Sequence, residues 1–258
     1  LLLAIFIPLV SMIIIYVFNH IYPFGDKIVA VGDGYTQYPG LLSNFLNTIK
    51  GKESLFYSFK GLLGFNAFAS MVYYTFNITN LLGLFFTNVI TFYNFIVLFK
   101  IILCSLTMFI YLNYVRKRKV NYVFSICYAL STYNLLYYFN YMWFDSVIMF
   151  PLVMMGIEKI FHENRYYFYV ICLTLSIIFN FYIGYMICIF SVIYFIYKCI
   201  INGFDKVKVI KFILYSVLSG LLCAFALIPV VLELLNGKVE LISQFAKDYF
   251  KFDLDGIS

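Results

Sequence analysis

From Val89 to Tyr114 the chain carries a single charged side chain, Lys100, and this run constrains the fold more than any other feature. A helix needs about 20 mostly apolar residues to cross a bilayer. Further apolar stretches follow the same pattern: Leu1–Phe18, Tyr122–Phe139, Ser146–Phe161, Tyr166–Phe179, Tyr182–Tyr197 and Phe212–Leu235. The chain is 64% hydrophobic and 12% charged, whereas soluble domains are roughly half apolar and a quarter charged. Too little polar surface is present to cover such a chain in water. The expectation is an all-α membrane protein, a polytopic helical bundle of about seven transmembrane helices forming one domain over residues 1–258. The chain opens without Met and closes at Gly256-Ile257-Ser258, and it is expected to be the N-terminal piece of a longer protein.

Orientation follows from the short loops, where Lys and Arg favour the cytoplasm. Arg116-Lys117-Arg118-Lys119 closes the second run, and placing it inside puts Lys159, Arg165, Lys198, Lys206, Lys208 and Lys211 on the same side. All three arginines fall in that set. Three segments then face outward together: the long stretch 19–88, the turn Asn140–Asp145 and a hinge at Asn180 and Gly184. The stretch 19–88 reads as an outer loop with interfacial helices. Leu41, Leu42, Phe45, Leu46 and Ile49 repeat at helical spacing, and Phe65–Phe76 places Phe68, Met71, Val72 and Thr75 on one face. Asn77-Ile78-Thr79 fits a glycosylation sequon, but the pattern is common by chance and carries no weight here.

Within that loop, Gly32-Asp33-Gly34-Tyr35-Thr36-Gln37-Tyr38-Pro39 places an acid between two glycines and follows it with hydrogen-bonding side chains. Glycine frees the backbone on either side, so the carboxylate is presented on a tight turn. Pro39 suits the first turn of a following helix. Asp33 and Asp145 are the candidate catalytic acids, each also readable as a marker of a membrane boundary. Tyr35, Tyr38 and Trp143 serve either as interfacial belt residues or as platforms for a sugar. Lys100, an ionisable group inside a span, is by default a functional residue, with snorkelling of its stem as the alternative. Gln37, Lys60, Asn140 and Asn180 complete the candidate substrate-binding set. Hydrogen bonds between helices would explain the two asparagines without function, and that is the reading taken for Asn134.

Other classes have little behind them. The six cysteines all lie in apolar runs and read as packing residues. His20 and His162 are expected on opposite sides of the membrane, so no metal site is assigned. The chain carries no phosphate loop, dinucleotide fingerprint or serine elbow. Its basic runs are short and confined to loops, which speaks against nucleic-acid binding.

The residues resemble the YfhO-like bacterial membrane proteins along nearly the whole chain. The resemblance rests on Gly32-Asp33 through Gln37-Tyr38-Pro39, Ser54–Phe59 with Gly61 and Gly64, and Tyr73-Tyr74. It continues in Asn140–Asp145 with Pro151-Leu152 and Gly156-Ile157-Glu158, and in Asn180–Met186. It implies a GT-C type glycosyltransferase at the outer face of a bacterial plasma membrane. Such an enzyme moves a sugar from a polyprenyl-phosphate donor to a cell-envelope polymer such as lipoteichoic acid, among membrane lipid. The resemblance places Asp33 at the family's first-loop acid, and it leaves open whether a divalent cation takes part. A transporter or flippase of lipid-linked sugar, and a scaffold without catalysis, remain the alternatives.

Overall fold

The computed structural model describes residues 1–59 and 64–254. Helix α1 covers Leu2–Phe18, α2 is the short turn Asp33–Thr36, and α3 runs over Tyr38–Ile49. Strands β1 (Tyr57–Ser58) and β2 (Phe65–Asn66) pair antiparallel. After them come α4 (Ala67–Tyr74), a 3-10 turn over Thr79–Phe85 and the long α5 (Val89–Val115). Two short helices, α6 (Asn121–Ala129) and α7 (Thr132–Leu136), precede a second 3-10 turn at Tyr141–Trp143. The rest is α8 (Phe144–Glu163), α9 (Tyr167–Phe179), α10 (Phe181–Asn202) and α11 (Lys206–Leu254).

Among the described residues, three helices are long and apolar enough to cross a membrane: α5, α10 and the Lys206–Glu233 part of α11. Helices α1 and α9 are apolar but shorter. The expected span over Tyr122–Phe139 is not one helix. Its first piece, α6, has nine residues and rises only about 14 Å, under half of a ~30 Å hydrocarbon core. Asn134 causes the break. Its Nδ2 donates to the carbonyls of Tyr128 at 3.0 Å and Ala129 at 3.1 Å, satisfying the open end of α6. Ser131 then starts α7, its Oγ accepting from the Asn134 backbone N–H at 3.5 Å. Apolar composition hides a break that two side-chain hydrogen bonds write.

The two amphipathic stretches of 19–88 fold as helices. In α3, Leu42, Phe45 and Leu46 are buried, while Ile49 stays exposed. In α4, Met71 and Val72 are buried and Thr75 lies just beyond its end. These helices pack with α1 and α5 around Tyr93, Ile96 and Tyr141. A second core gathers α8, α9, α10 and α11, with Phe195 stacked on Phe212 at 3.9 Å between ring centroids.

Helices α5 and α8 run parallel, because Lys100 meets Asp145 near one end and Tyr114 meets Glu163 near the other. Gly156 permits a close backbone approach between α8 and α9. A Cβ on Gly156 would lie 2.7 Å from the Cα of Tyr169 in α9, and backbone cannot swing aside. Gly156→Val is therefore expected to cost about 1–3 kcal/mol, read as a lower Tm of the detergent-solubilised protein. Gly220→Ala, where a Cβ meets nothing within 4 Å, is the control and leaves Tm unchanged or slightly raised.

Candidate active site

The glycines around Asp33 have separate physical roles. Gly32 sits at φ +55°, a conformation that side chains disfavour. Gly34 is buried, and a Cβ there would lie 2.9 Å from the Tyr93 hydroxyl and 3.1 Å from Phe139 Cβ. The first glycine turns the chain and the second seats the turn against α5. Asp33, between them, is exposed, as are Tyr35 and Gln37.

Below the turn the polar groups are sealed. Tyr38 is buried, and its hydroxyl donates to Asn140 Oδ1 at 2.6 Å. Its ring packs against Tyr74 and Tyr141, with centroids 5.8 and 5.9 Å away. Burial raises the pKa of the Tyr38 hydroxyl, and the neighbouring Asp33 carboxylate adds to the rise. The Tyr74 hydroxyl is raised by burial first, then by Tyr73 and Asp33. Asp33 thus lies close enough to Tyr38 and Tyr74 to add to the rise that burial gives their hydroxyls.

Lys100 does not snorkel. Its side chain is 0% exposed, and its Nζ lies 2.5 Å from Asp145 Oδ2, itself 1% exposed. The same ammonium donates to the Tyr141 carbonyl at 3.1 Å and stands 4.6 Å from the centre of the Tyr141 ring. The other oxygen of Asp145 faces Thr79 Oγ1 at 2.9 Å. Thr79 also lies 2.8 Å from Asn77 Oδ1, so one hydroxyl proton serves two acceptors. Charge, ring and hydroxyl close every side of the pair. Asp145 is therefore a buried partner of Lys100 and not an acid at the surface.

Asn180 is buried between α9 and α10. Its Oδ1 accepts from the Ile183 N–H at 3.0 Å, capping α10, and its Nδ2 reaches the Tyr73 carbonyl at 3.5 Å. The Trp143 ring packs against Tyr137 and Tyr182 at 5.6 and 5.8 Å between centroids. The structure thus brings Tyr38, Lys100, Asn140, Trp143, Asp145 and Asn180 to one end of the bundle, beneath the turn that exposes Asp33, Tyr35 and Gln37. Lys60 lies outside the described residues.

Several contributors escape sequence reasoning. Thr79 and Asn77 belong to the Asp145 network, although their sequence pattern points only to a sequon. Asn77 Oδ1 accepts from the Asn80 N–H at 2.9 Å, three residues on, a local cap at the start of the Thr79–Phe85 turn that an Asn ahead of a turn could have suggested. Glu158 is the larger omission. It is buried near the opposite end of α8, where the Tyr194 hydroxyl donates to it and Lys198 Nζ lies 2.8 Å away. His162 Nε2 stands 3.2 Å from Glu158 Oε2, the same oxygen that Lys198 approaches.

No cluster of three or more His, Cys, Asp or Glu side chains suited to a metal occurs among the described residues. Both Asp145 oxygens are engaged by Lys100 and Thr79, so that carboxylate does not fit a divalent ion, and no step is assigned to one.

Fold and site define a helical membrane protein with a tyrosine-walled polar end. The family described as "Bacterial membrane protein YfhO" matches residues 4–256. The chain belongs to this family. It is 29% identical over 152 residues to "Uncharacterized protein YfhO" of Bacillus subtilis (strain 168). That match covers 55% of this chain but only 17% of the relative's length. No solved structure matches the chain.

Proposed function

We propose that this chain is the donor-side part of a membrane glycosyltransferase of the GT-C type. It moves a sugar from a polyprenyl phosphate to a cell-envelope polymer, with lipoteichoic acid as an example acceptor, at the outer face of the plasma membrane. The observation that carries the reading is the contrast between two acids. Asp33 is exposed on a glycine-built turn beside Tyr38 and Tyr74, while Asp145 is locked against Lys100. Only the first is placed to meet a substrate.

The chemistry follows from that placement. Asp33 takes the proton of an acceptor hydroxyl as its oxygen attacks C1 of the sugar. The bond between C1 and the phosphate oxygen breaks, and polyprenyl phosphate leaves with the electron pair. Attack from the opposite face inverts the anomeric centre. Tyr35 and the neighbouring tyrosines offer rings and hydroxyls to the sugar, and Gln37 an amide. The departing phosphate needs a cation. Lys100 is sealed, so that role passes to the lysines of the 19–88 segment.

The reading places the bundle with Arg116–Lys119, Lys159, Arg165, Lys198 and Lys206 in the cytoplasm. A cysteine at Lys52, in a cysteine-free background, is expected to react with a membrane-impermeant thiol reagent in intact cells. One at Lys117 reacts only after permeabilisation. Labelling of Lys117 alone in intact cells would reverse the orientation. The function itself is tested by deleting the gene in its host and analysing the envelope polymers by NMR. Loss of one sugar substituent, restored by the full-length protein and not by its Asp33→Asn form, is expected. Unchanged polymers would contradict the reading.

A flippase reading is favoured by one feature. Helix α8 buries an acid near each end, Asp145 and Glu158, about 20 Å apart along its axis. Each pairs with a lysine from a different helix, Lys100 of α5 and Lys198 of α10. Two such pairs suit gates that open alternately.

A further inference from the structure

A buried asparagine in a membrane-spanning helix commonly bonds a neighbouring helix. Asn94, in the second turn of α5 and 2% exposed, spends its side chain on a loop instead. Its Oδ1 accepts from the Val29 backbone N–H at 2.8 Å, and its Nδ2 reaches the Tyr22 carbonyl at 3.5 Å. Both partners belong to the stretch that joins α1 to the Asp33 turn. That stretch closes on itself, the Tyr22 N–H donating to the Lys27 carbonyl at 2.9 Å. Asn94 therefore fastens a closed loop to α5 and, at Val29, the chain that leaves it.

The preceding residue holds the other side of Asp33. The Tyr93 hydroxyl donates to the Phe139 carbonyl at 2.9 Å, and Gly34 packs on that same hydroxyl. Successive side chains of a helix point about 100° apart. Tyr93 and Asn94 thus hold separate points of the segment, one after Asp33 and one before it. Burial follows the two contacts: Val29 is buried, Val31, Gly32 and Asp33 are exposed, and Gly34 is buried again. The chain rises off α5 as a short arch with the carboxylate at its top. A general base works within hydrogen-bond reach of the proton it takes, about 2.6–3.2 Å. The exposed Asp33 side chain has little packing of its own to set that distance, so the feet of the arch set it.

We propose that Asn94 is a positioning residue for Asp33, its side chain fixing the upstream foot of the arch on α5 while Tyr93 fixes the downstream one. This inference rests on the transferase reading, in which Asp33 is the base. Asn94 touches neither the substrate nor the reacting atoms and acts through the backbone from Val29 to Asp33. Losing it removes the acceptor of the Val29 N–H and leaves the arch held to α5 on one side. A bond that served stability alone would lower Tm and leave the chemistry of the folded molecules intact.

The test compares Asn94→Leu, which keeps the branched shape but not the hydrogen bonds, with Tyr16→Phe. The Tyr16 hydroxyl donates to the Asn94 backbone carbonyl at 2.8 Å, so its loss removes a buried bond at the same place and spares the tether. Val29→Pro breaks the tether from the loop side by removing the N–H, and it takes the place of Asn94→Leu if that variant does not accumulate. Both measurements use the full-length protein in nanodiscs. Amide exchange read by mass spectrometry is expected to quicken over residues 29–36 in the tether variants and to keep its wild-type rate there in Tyr16→Phe. Polyprenyl-phosphoglucose is the donor and lipoteichoic acid the acceptor for the kinetics. In the tether variants alone, kcat is expected to fall about 10²-fold with KM for the donor unchanged. Unaltered exchange over 29–36 would overturn the tether itself. Faster exchange with kcat kept, or an equal fall of kcat in Tyr16→Phe, would overturn the positioning role and leave the transferase standing. If the wild-type protein transfers no sugar, the transferase reading fails whatever the exchange shows, and the positioning role fails with it.

Discussion

Asp33→Asn in the full-length protein is expected to lower the rate of sugar transfer by about 10²–10⁴-fold, the usual cost of losing a general base. Asparagine keeps the size and most of the hydrogen bonding of aspartate but cannot accept the proton. The residue is exposed and outside the packed network, so expression, insertion and donor binding should stay near wild type. Asp26→Asn is the internal control, since Asp26 is also exposed in the same segment but has a glycine on one side only, Gly25, and none after it. If Asp26→Asn were inactive and Asp33→Asn fully active, the wrong carboxylate has been assigned the chemistry. If both were fully active, no base in this segment drives transfer.

Lys100→Met gives the largest expected loss of stability. It leaves the Asp145 carboxylate buried without its countercharge, and breaking such a pair costs about 3–5 kcal/mol. The loss should appear as a lower Tm in detergent and as poor recovery from membranes. Removing both charges in Lys100→Met/Asp145→Leu should restore much of it, because an apolar pair of similar volume avoids the buried unpaired charge. A phosphate clamp behaves differently. Lys100→Met would then raise KM for the donor in a protein of normal stability, and the double variant would recover nothing. Partial rescue by the double variant is the signature of a positioning pair that holds the Asn140–Asp145 turn, and through Asn140 the Tyr38 beneath Asp33.

Much of the helical framework was legible because apolar runs dictate it. The span over Val89–Tyr114 and the helix over Leu41–Ile49 follow from composition and from a period near 3.6 residues. The caps at Asn88 and Asn180 are equally local signals, since each side chain accepts from a backbone N–H two or three residues on. Other features depend on distant partners. The break at Leu130 needs Asn134 to fold back on carbonyls five and six residues earlier, and an asparagine among apolar residues suits a helix contact just as well. The pairing of Lys100 with Asp145 spans 45 residues. A lysine in a span announces some partner, but its identity depends on how α5 packs on α8. Glu158 was visible only as part of a family motif, because Lys198 and Tyr194 reach it from another helix. The glycines flanking Asp33 were legible as a turn, whereas the close approach of Gly34 to Tyr93 belongs to tertiary packing.

The most direct measurement follows one labelled sugar. Purified full-length protein is reconstituted into vesicles carrying polyprenyl phosphate labelled on its sugar, with lipoteichoic acid supplied outside. After incubation, the label is assigned to polymer, to lipid in the outer leaflet or to lipid in the inner leaflet. Transfer from outer-leaflet lipid to the polymer, abolished by Asp33→Asn and retained by Asp26→Asn, is the predicted result. Label that moves between leaflets while still attached to polyprenyl phosphate, with none on the polymer, would contradict it and establish transport in place of transfer.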